Sequence, residues 1–173
     1  YGPGAEISRL NKGLRRRADP SQHGFMINPM TGAWAKMEED DGAEPDPTRT
    51  PNQPIVPWVM DRKNALLLQL AQPDAGETTI ATLQYALKRG IESVYQLEES
   101  ELLAEPLPDR KNRHGVLFYE ATEGGAGVLT RLVHDEHALA GVARAALKVM
   151  HFDLGADGEP LPTAEALHDV DGT

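Results

Sequence analysis

The sequence predicts an α+β domain: a mixed β-sheet covered by two main helices, near residues 79–92 and 126–150. Three observations lead there. The run from Asn64 to Leu70 is almost continuously apolar and lies between Arg62-Lys63 and Pro73, as expected of a short central strand covered on both faces. Ile80, Leu83, Leu87, Ile91 and Val94 recur at steps of three and four, which builds one apolar stripe along a helix. Finally, the apolar strand Val116 to Glu120 runs into Gly124, Gly125 and Gly127 and then into a long amphipathic stretch.

Taken in chain order, residues 1–37 form a lead-in with a basic cluster and a β-hairpin. Phe25 and Ile27 sit on one arm, Ala33 and Trp34 on the other, and Asn28-Pro-Met-Thr-Gly32 supplies the turn. Residues 38–54 are acidic and carry Pro45, Pro47, Pro51 and Pro54, a loop or linker composition. The α+β domain proper is placed at 55–153. Its first helix takes Thr78 or Thr79 as cap. Residues 94–107 then supply two strands or one bulged strand around the polar Glu98–Glu101 break, and Arg110 to Gly115 form a basic loop before the next strand. In the last helical stretch Val128, Leu132, Leu139, Val142, Ala143, Ala146, Leu147 and Met150 keep helical spacing. The polar His134-Asp-Glu-His137 marks a bend or a division into two helices. Residues 154–173, rich in glycine, proline and acid, read as a flexible tail.

Composition narrows the function classes. With 27 acidic against 17 basic residues in a 173-residue chain, the formal charge of -10 opposes non-specific attraction to nucleic acid or anionic lipid unless the cations are segregated. They are: Arg9, Lys12, Arg15, Arg16 and Arg17 fall together near the start, and Glu38, Glu39, Asp40, Asp41, Glu44 and Asp46 follow. Without cysteine the chain has no disulfide and no thiolate metal site, and no apolar run approaches the roughly 20 residues that span a bilayer. A cytoplasmic location is the expectation. A first residue of Tyr1 instead of methionine suggests a piece of a longer sequence.

Several constellations invite chemistry. Gly124, Gly125 and Gly127 offer bare backbone at a helix start, either an anion-binding corner or a tight strand-to-helix turn. The lysine and Ser/Thr that complete a nucleotide P-loop are missing there, so the turn is the preferred reading. Glu120 and Glu123 are candidates for acid-base or metal work, although Glu123 at a helix start is already accounted for by the helix dipole. His134 and His137 are spaced for a metal, or for a solvated face. No residue is assigned as catalytic and none as a metal ligand. Lys12, Arg15, Arg16 and Arg17 are the candidate nucleic-acid-binding residues, positioned to grip phosphates without reading bases. Trp34, Trp58 and Tyr85 are read as core or interface aromatics and not as stacking platforms.

The string Leu117-Phe-Tyr-Glu-Ala-Thr-Glu-Gly-Gly-Ala-Gly-Val-Leu-Thr-Arg-Leu-Val133, with Ala145-Ala-Leu-Lys-Val-Met-His-Phe-Asp153, resembles the zinc-binding C-terminal domain of MrfA-type DNA helicases. Thr82 to Ile91, Asp61 to Leu66 and the opening Gly2 to Asn11 are similar to that domain and its lead-in. The resemblance implies a place in superfamily-two helicases, or in helicase-associated proteins of phage defence such as DISARM systems. It implies a four-cysteine zinc cluster shortly beyond His151-Phe-Asp153, so this chain is expected to end ahead of those ligands. ATP and magnesium belong to motor domains of the same chain or of a partner subunit. The resulting expectation is a non-catalytic accessory domain that engages DNA or braces a motor. The alternatives are a structural protein-interaction module and, third, a metal-dependent hydrolase or nuclease built on Glu120, Glu123 and a histidine.

Overall fold

The computed structural model describes residues 1–14, 21–35, 50–71 and 75–171, with side chains through residue 167. It divides into two compact units, Tyr1–Glu6 with Arg62–Thr173, and Ile7–Asp61, the divisions falling inside two strands. About the first unit is built a four-stranded sheet. Its strands are β1 (Gly2–Leu10), β5 (Trp58–Gln69), β6 (Leu102–Asp109) and β7 (Asn112–Glu120), in the order β1-β5-β7-β6. The β5·β7 and β6·β7 ladders are antiparallel, with Leu66 opposite Phe118 and Ala104 opposite the same residue on the other side. The α+β class holds.

Period-two alternation decides which side chains of the sheet enter the core. Val116, Phe118 and Leu102 are fully buried, and Leu66, Leu68 and Ala104 pack against them. The intervening residues point the other way, and Leu67 there is 47% exposed. β5 is therefore covered on one face along Leu66–Gln69 and not on both, because the helices that cover the sheet supply their apolar residues to one core. It also begins earlier than its apolar run, at Trp58.

The first helix, α1, spans Glu77–Tyr95. Its N-cap is Gly76, with no side-chain capping bond, so neither Thr78 nor Thr79 caps it. Ile80 and Ile91 enter the core as the stripe requires, while Val94 is exposed. Ala86 and Gly90 are buried instead, because this helix meets the sheet and a second helix at once. A Cβ on Gly90 would stand 2.8 Å from the Val142 carbonyl oxygen, which marks how closely the two helix backbones approach.

The stretch expected as one helix over 126–150 is two, α2 (Val128–His134) and α3 (Ala138–Val149). Asp135 separates them: its amide ends α2 on the Arg131 carbonyl, and its side chain accepts from the His137 amide at 2.9 Å. The break changes the helical phase, leaving Leu139 exposed while Val142 and Ala146 are buried. The tail expected to be flexible holds a hairpin, β8 (Phe152–Leu154) with β9 (Pro160–Pro162), and a fourth helix, α4 (Ala164–Asp171).

Residues 94–107 give the end of α1 and one strand. β6 carries an irregularity between Leu107 and Pro108. The basic loop narrows to a turn, in which the Asp109 carboxylate accepts from the amides of Lys111 and Asn112, and β7 starts at Asn112.

The second unit contains the predicted hairpin as β2 (Phe25–Ile27) and β3 (Trp34–Ala35), with Ile27 opposite Trp34. The Asn28 side chain accepts from the amides of Met30 and Thr31, and the turn closes with the Gly32 amide on the Asn28 carbonyl. A third strand, β4 (Gln53–Ile55), pairs with β2, so the end of the proline-rich segment is strand and not loop. The remainder of that segment, 38–49, lies outside the described residues.

Candidate functional site: the glycine corner and the Arg9–Trp58 groove

The glycine corner is held by a carboxylate from the chain itself. Glu120, the last residue of β7, is 2% exposed, and its side chain accepts from the Leu129 amide at 2.9 Å and the Gly127 amide at 3.2 Å. The Asn64 side chain on neighbouring β5 donates to the same carboxylate at 3.0 Å. Gly127 is the N-cap of α2 and has no side chain to cap with, so Glu120 does this from the strand. An ionised acceptor answers the partial positive charge of the helix start, and the bonds it accepts are about twice as strong as neutral ones.

Each glycine is there for a stated reason. Gly124, Gly125 and Gly127 all have positive φ, at 78°, 60° and 71°. Around Gly124 and Gly127 a methyl group would meet nothing within 4 Å, so backbone conformation alone favours glycine. At Gly125 the space is taken as well: a Cβ would lie 1.5 Å from Glu120 Oε2. Three glycines thus let the chain fold closely over the carboxylate that closes the corner.

Two more charged side chains are buried, one of them beside the corner. Lys63, 4% exposed on β5, donates its ammonium to the Ala121 carbonyl directly after Glu120. Glu92 on α1 is buried against Lys88 at 2.6 Å and Arg89 at 3.1 Å. Arg89 is held above its ordinary value first by the Tyr85 hydroxyl, then by Glu92 and Glu99, and so stays charged.

The other candidate groups do not converge. Glu123 is exposed and lies five residues ahead of α2, so the acid at that helix start is Glu120 and not Glu123. His134 ends α2 with Nδ1 on the Thr130 carbonyl oxygen, whereas His137 precedes α3 beside Glu136. A further groove, lined by Lys148, His151, Thr163 and Glu165, contains a 2.8 Å contact between His151 and Glu165.

Of the predicted phosphate-gripping residues, Lys12 is exposed and follows β1; Arg15, Arg16 and Arg17 lie outside the described residues. Lys12 lines a groove of about 480 Å³ together with Arg9, Asn11, Pro57, Trp58 and Val59. Trp58 is 62% exposed, and Trp34 and Tyr85 are exposed too, so none of the three is a core residue. Trp34 stacks edge-on to Phe25, and the Arg89 guanidinium lies over Tyr85, contacts available to aromatics at a surface.

Sequence reasoning did not single out Lys63 and Asn64 as site residues, and it weighed Trp58 as a stacking platform but read it as a core or interface aromatic. For the first two a signal existed: polar residues at the mouth of an apolar strand, opposite the residues that lead into the glycines. For Trp58 there was none, since exposure of an aromatic is decided by what the rest of the chain packs against.

Residues 83–154 match the family model described as the MrfA Zn-binding domain, a segment running from α1 into β8. The match falls on the family that the sequence resembles. No curated protein and no solved structure matches the chain. The family description names zinc, but the chain has no cysteine, and among the described residues no three His, Asp or Glu side chains are grouped to hold a metal ion. The described residues therefore do not make a zinc centre. Among the described residues no helix is long and apolar enough to cross a membrane.

Proposed function

We propose that the chain is a non-catalytic accessory domain of a DNA helicase or helicase-associated protein, where it engages DNA or braces the motor. The match over residues 83–154 carries this reading. The chemistry of the corner supports it, because both carboxylate oxygens of Glu120 are committed to backbone amides that complete the fold. A general acid or a metal ligand needs an oxygen that can turn to a substrate or ion. DNA engagement runs through Lys12, Arg15, Arg16 and Arg17; ATP, magnesium and zinc act elsewhere in the parent protein.

The test is DNA affinity across a salt series, for the natural chain and for a Lys12/Arg15/Arg16/Arg17→Ala variant. Each lost phosphate contact lowers the slope of log affinity against log salt by about 0.7 on single strands and 0.9 on duplex. An affinity indifferent to both salt and the four substitutions would reject direct contact. Exposed Val59, Met60 and Leu67 along β5 favour the bracing role as the second reading. In that case charge reversal at the basic cluster leaves DNA handling by the parent protein intact, while polar substitutions on β5 impair it.

A further inference from the structure

We infer that the groove between the end of β1 and the start of β5 is a binding site for single-stranded DNA, with Trp58 as the stacking surface for an unpaired base and Arg9 and Lys12 as phosphate partners. This rests on the DNA-engaging reading above and names a place for it. The site lies wholly within the unit Ile7–Asp61, ahead of the segment that matches the family.

Exposure is the first observation. An indole is among the largest apolar surfaces a protein owns, and 62% of the accessible surface of Trp58 is left in water. The backbone beneath it is tied across the groove, the Asn11 amide donating to the Pro57 carbonyl at 2.8 Å. The backbone is braced from the other side by the Gly24 amide, which donates to the Lys12 carbonyl at 2.9 Å.

Charge is the second. Among the described residues the groove's lining contains two cations and no carboxylate, on a chain whose formal charge is -10. Arg9 reaches Asp61 at 3.4 Å, with the two side chains 50% and 33% exposed, a bridge that solvent screens heavily. A guanidinium has five N–H donors, so a single long contact leaves most of its fork to a phosphate. The sequence adds Arg15, Arg16 and Arg17 within five residues of Lys12. One exposed indole sharing a groove with two cations fits a polyanion whose bases are unpaired. Duplex DNA has no base face to offer, and stacking tolerates any base because every base has one.

The experiment is a titration of the full chain with oligo(dT), followed by tryptophan fluorescence, with a matched blunt duplex as comparison. Oligo(dT) is expected to quench the natural protein and to bind more tightly than the duplex. Trp58→Ala should weaken oligo(dT) about tenfold or more, as loss of one stacked base does, and abolish most of the quenching, while Trp58→Phe keeps most of the affinity. Arg9→Ala should lower the salt slope by about 0.7 and leave the quenching amplitude in place. A circular dichroism melt of each variant guards against unfolding. Unchanged oligo(dT) affinity in Trp58→Ala, with affinity still lost in the Lys12/Arg15/Arg16/Arg17→Ala variant, overturns this site but keeps DNA engagement. Absence of salt-dependent binding to either DNA overturns both.

Discussion

The glycine corner and the Arg9–Trp58 groove reverse the roles their residues suggest. The corner offers unpaired helix amides, the usual equipment for binding an anion, yet its anion is Glu120, supplied from the strand that leads into it. The groove contains a tryptophan, the usual equipment of a core, yet that side chain stands in solvent in a groove it shares with two cations. The difference is one of cost. Buried amides left without acceptors are expensive, so a fold that can reach them with its own carboxylate gains by doing so. Exposed cations keep most of their hydration, and a solvent-screened bridge such as Arg9 to Asp61 costs little to exchange for a ligand.

The largest expected effect breaks the corner. Glu120→Ala orphans the Leu129 and Gly127 amides, and at about 1–3 kcal/mol for each unmet buried donor it should cost roughly 3 kcal/mol or more in urea unfolding. Glu120→Gln keeps the shape and should lose less. If Glu120→Ala instead shifted the midpoint negligibly, the carboxylate would not be closing the corner.

The glycines sharpen this further, because they differ only in what surrounds them. Gly127→Ala and Gly124→Ala should each cost about 1–2 kcal/mol for a left-handed conformation. Gly125→Ala must also displace Glu120 Oε2, so its loss should be clearly larger in the same denaturant series. Equal losses at all three positions would mean that Glu120 moves aside freely.

A smaller effect concerns added anion. Because Glu120 fills the corner, inorganic phosphate should stabilise the natural protein and the Gly127→Ala variant equally in thermal melts. Phosphate stabilisation that disappears in Gly127→Ala would reopen the corner as an anion site. Smallest of all, Trp58→Ala should change folding stability by no more than about 0.5 kcal/mol, as for a surface position outside the packed core. A larger loss would show that the indole belongs to the fold and not to a ligand.

Much of the local structure was legible. Ile80 and Ile91 marked the inward face of α1, Asn28 to Gly32 marked the hairpin turn, and the glycine run marked the junction of β7 and α2. Boundaries were less so. Thr78 and Thr79 look like caps because their hydroxyls can accept from helix amides, but α1 starts at Glu77 with Gly76 as its cap, which puts both threonines inside the first turn. The proline-rich segment concealed β4, since a strand of three residues has too short an alternation to register, and Pro54 can sit there only because an edge position does not need every donor. The hairpin of β8 and β9 escaped notice for a similar reason: its strands are three residues each, two of them prolines in Pro160–Pro162.

By itself the sequence determined the class of fold, the stripe on α1, the clustering of Arg9 and Lys12 with the arginines that follow, and the need for left-handed backbone at the glycines. These are properties of spacing and of single residues, and they survive whatever the chain later packs against. Tertiary structure alone decided that Glu120 turns back onto the amides of Gly127 and Leu129, that Lys63 is buried, and that Trp58 is not. Whether a polar group is sealed off or an aromatic uncovered depends on neighbours distant in the chain, because burial is set by the surface that folding removes from water and not by the residue that carries it.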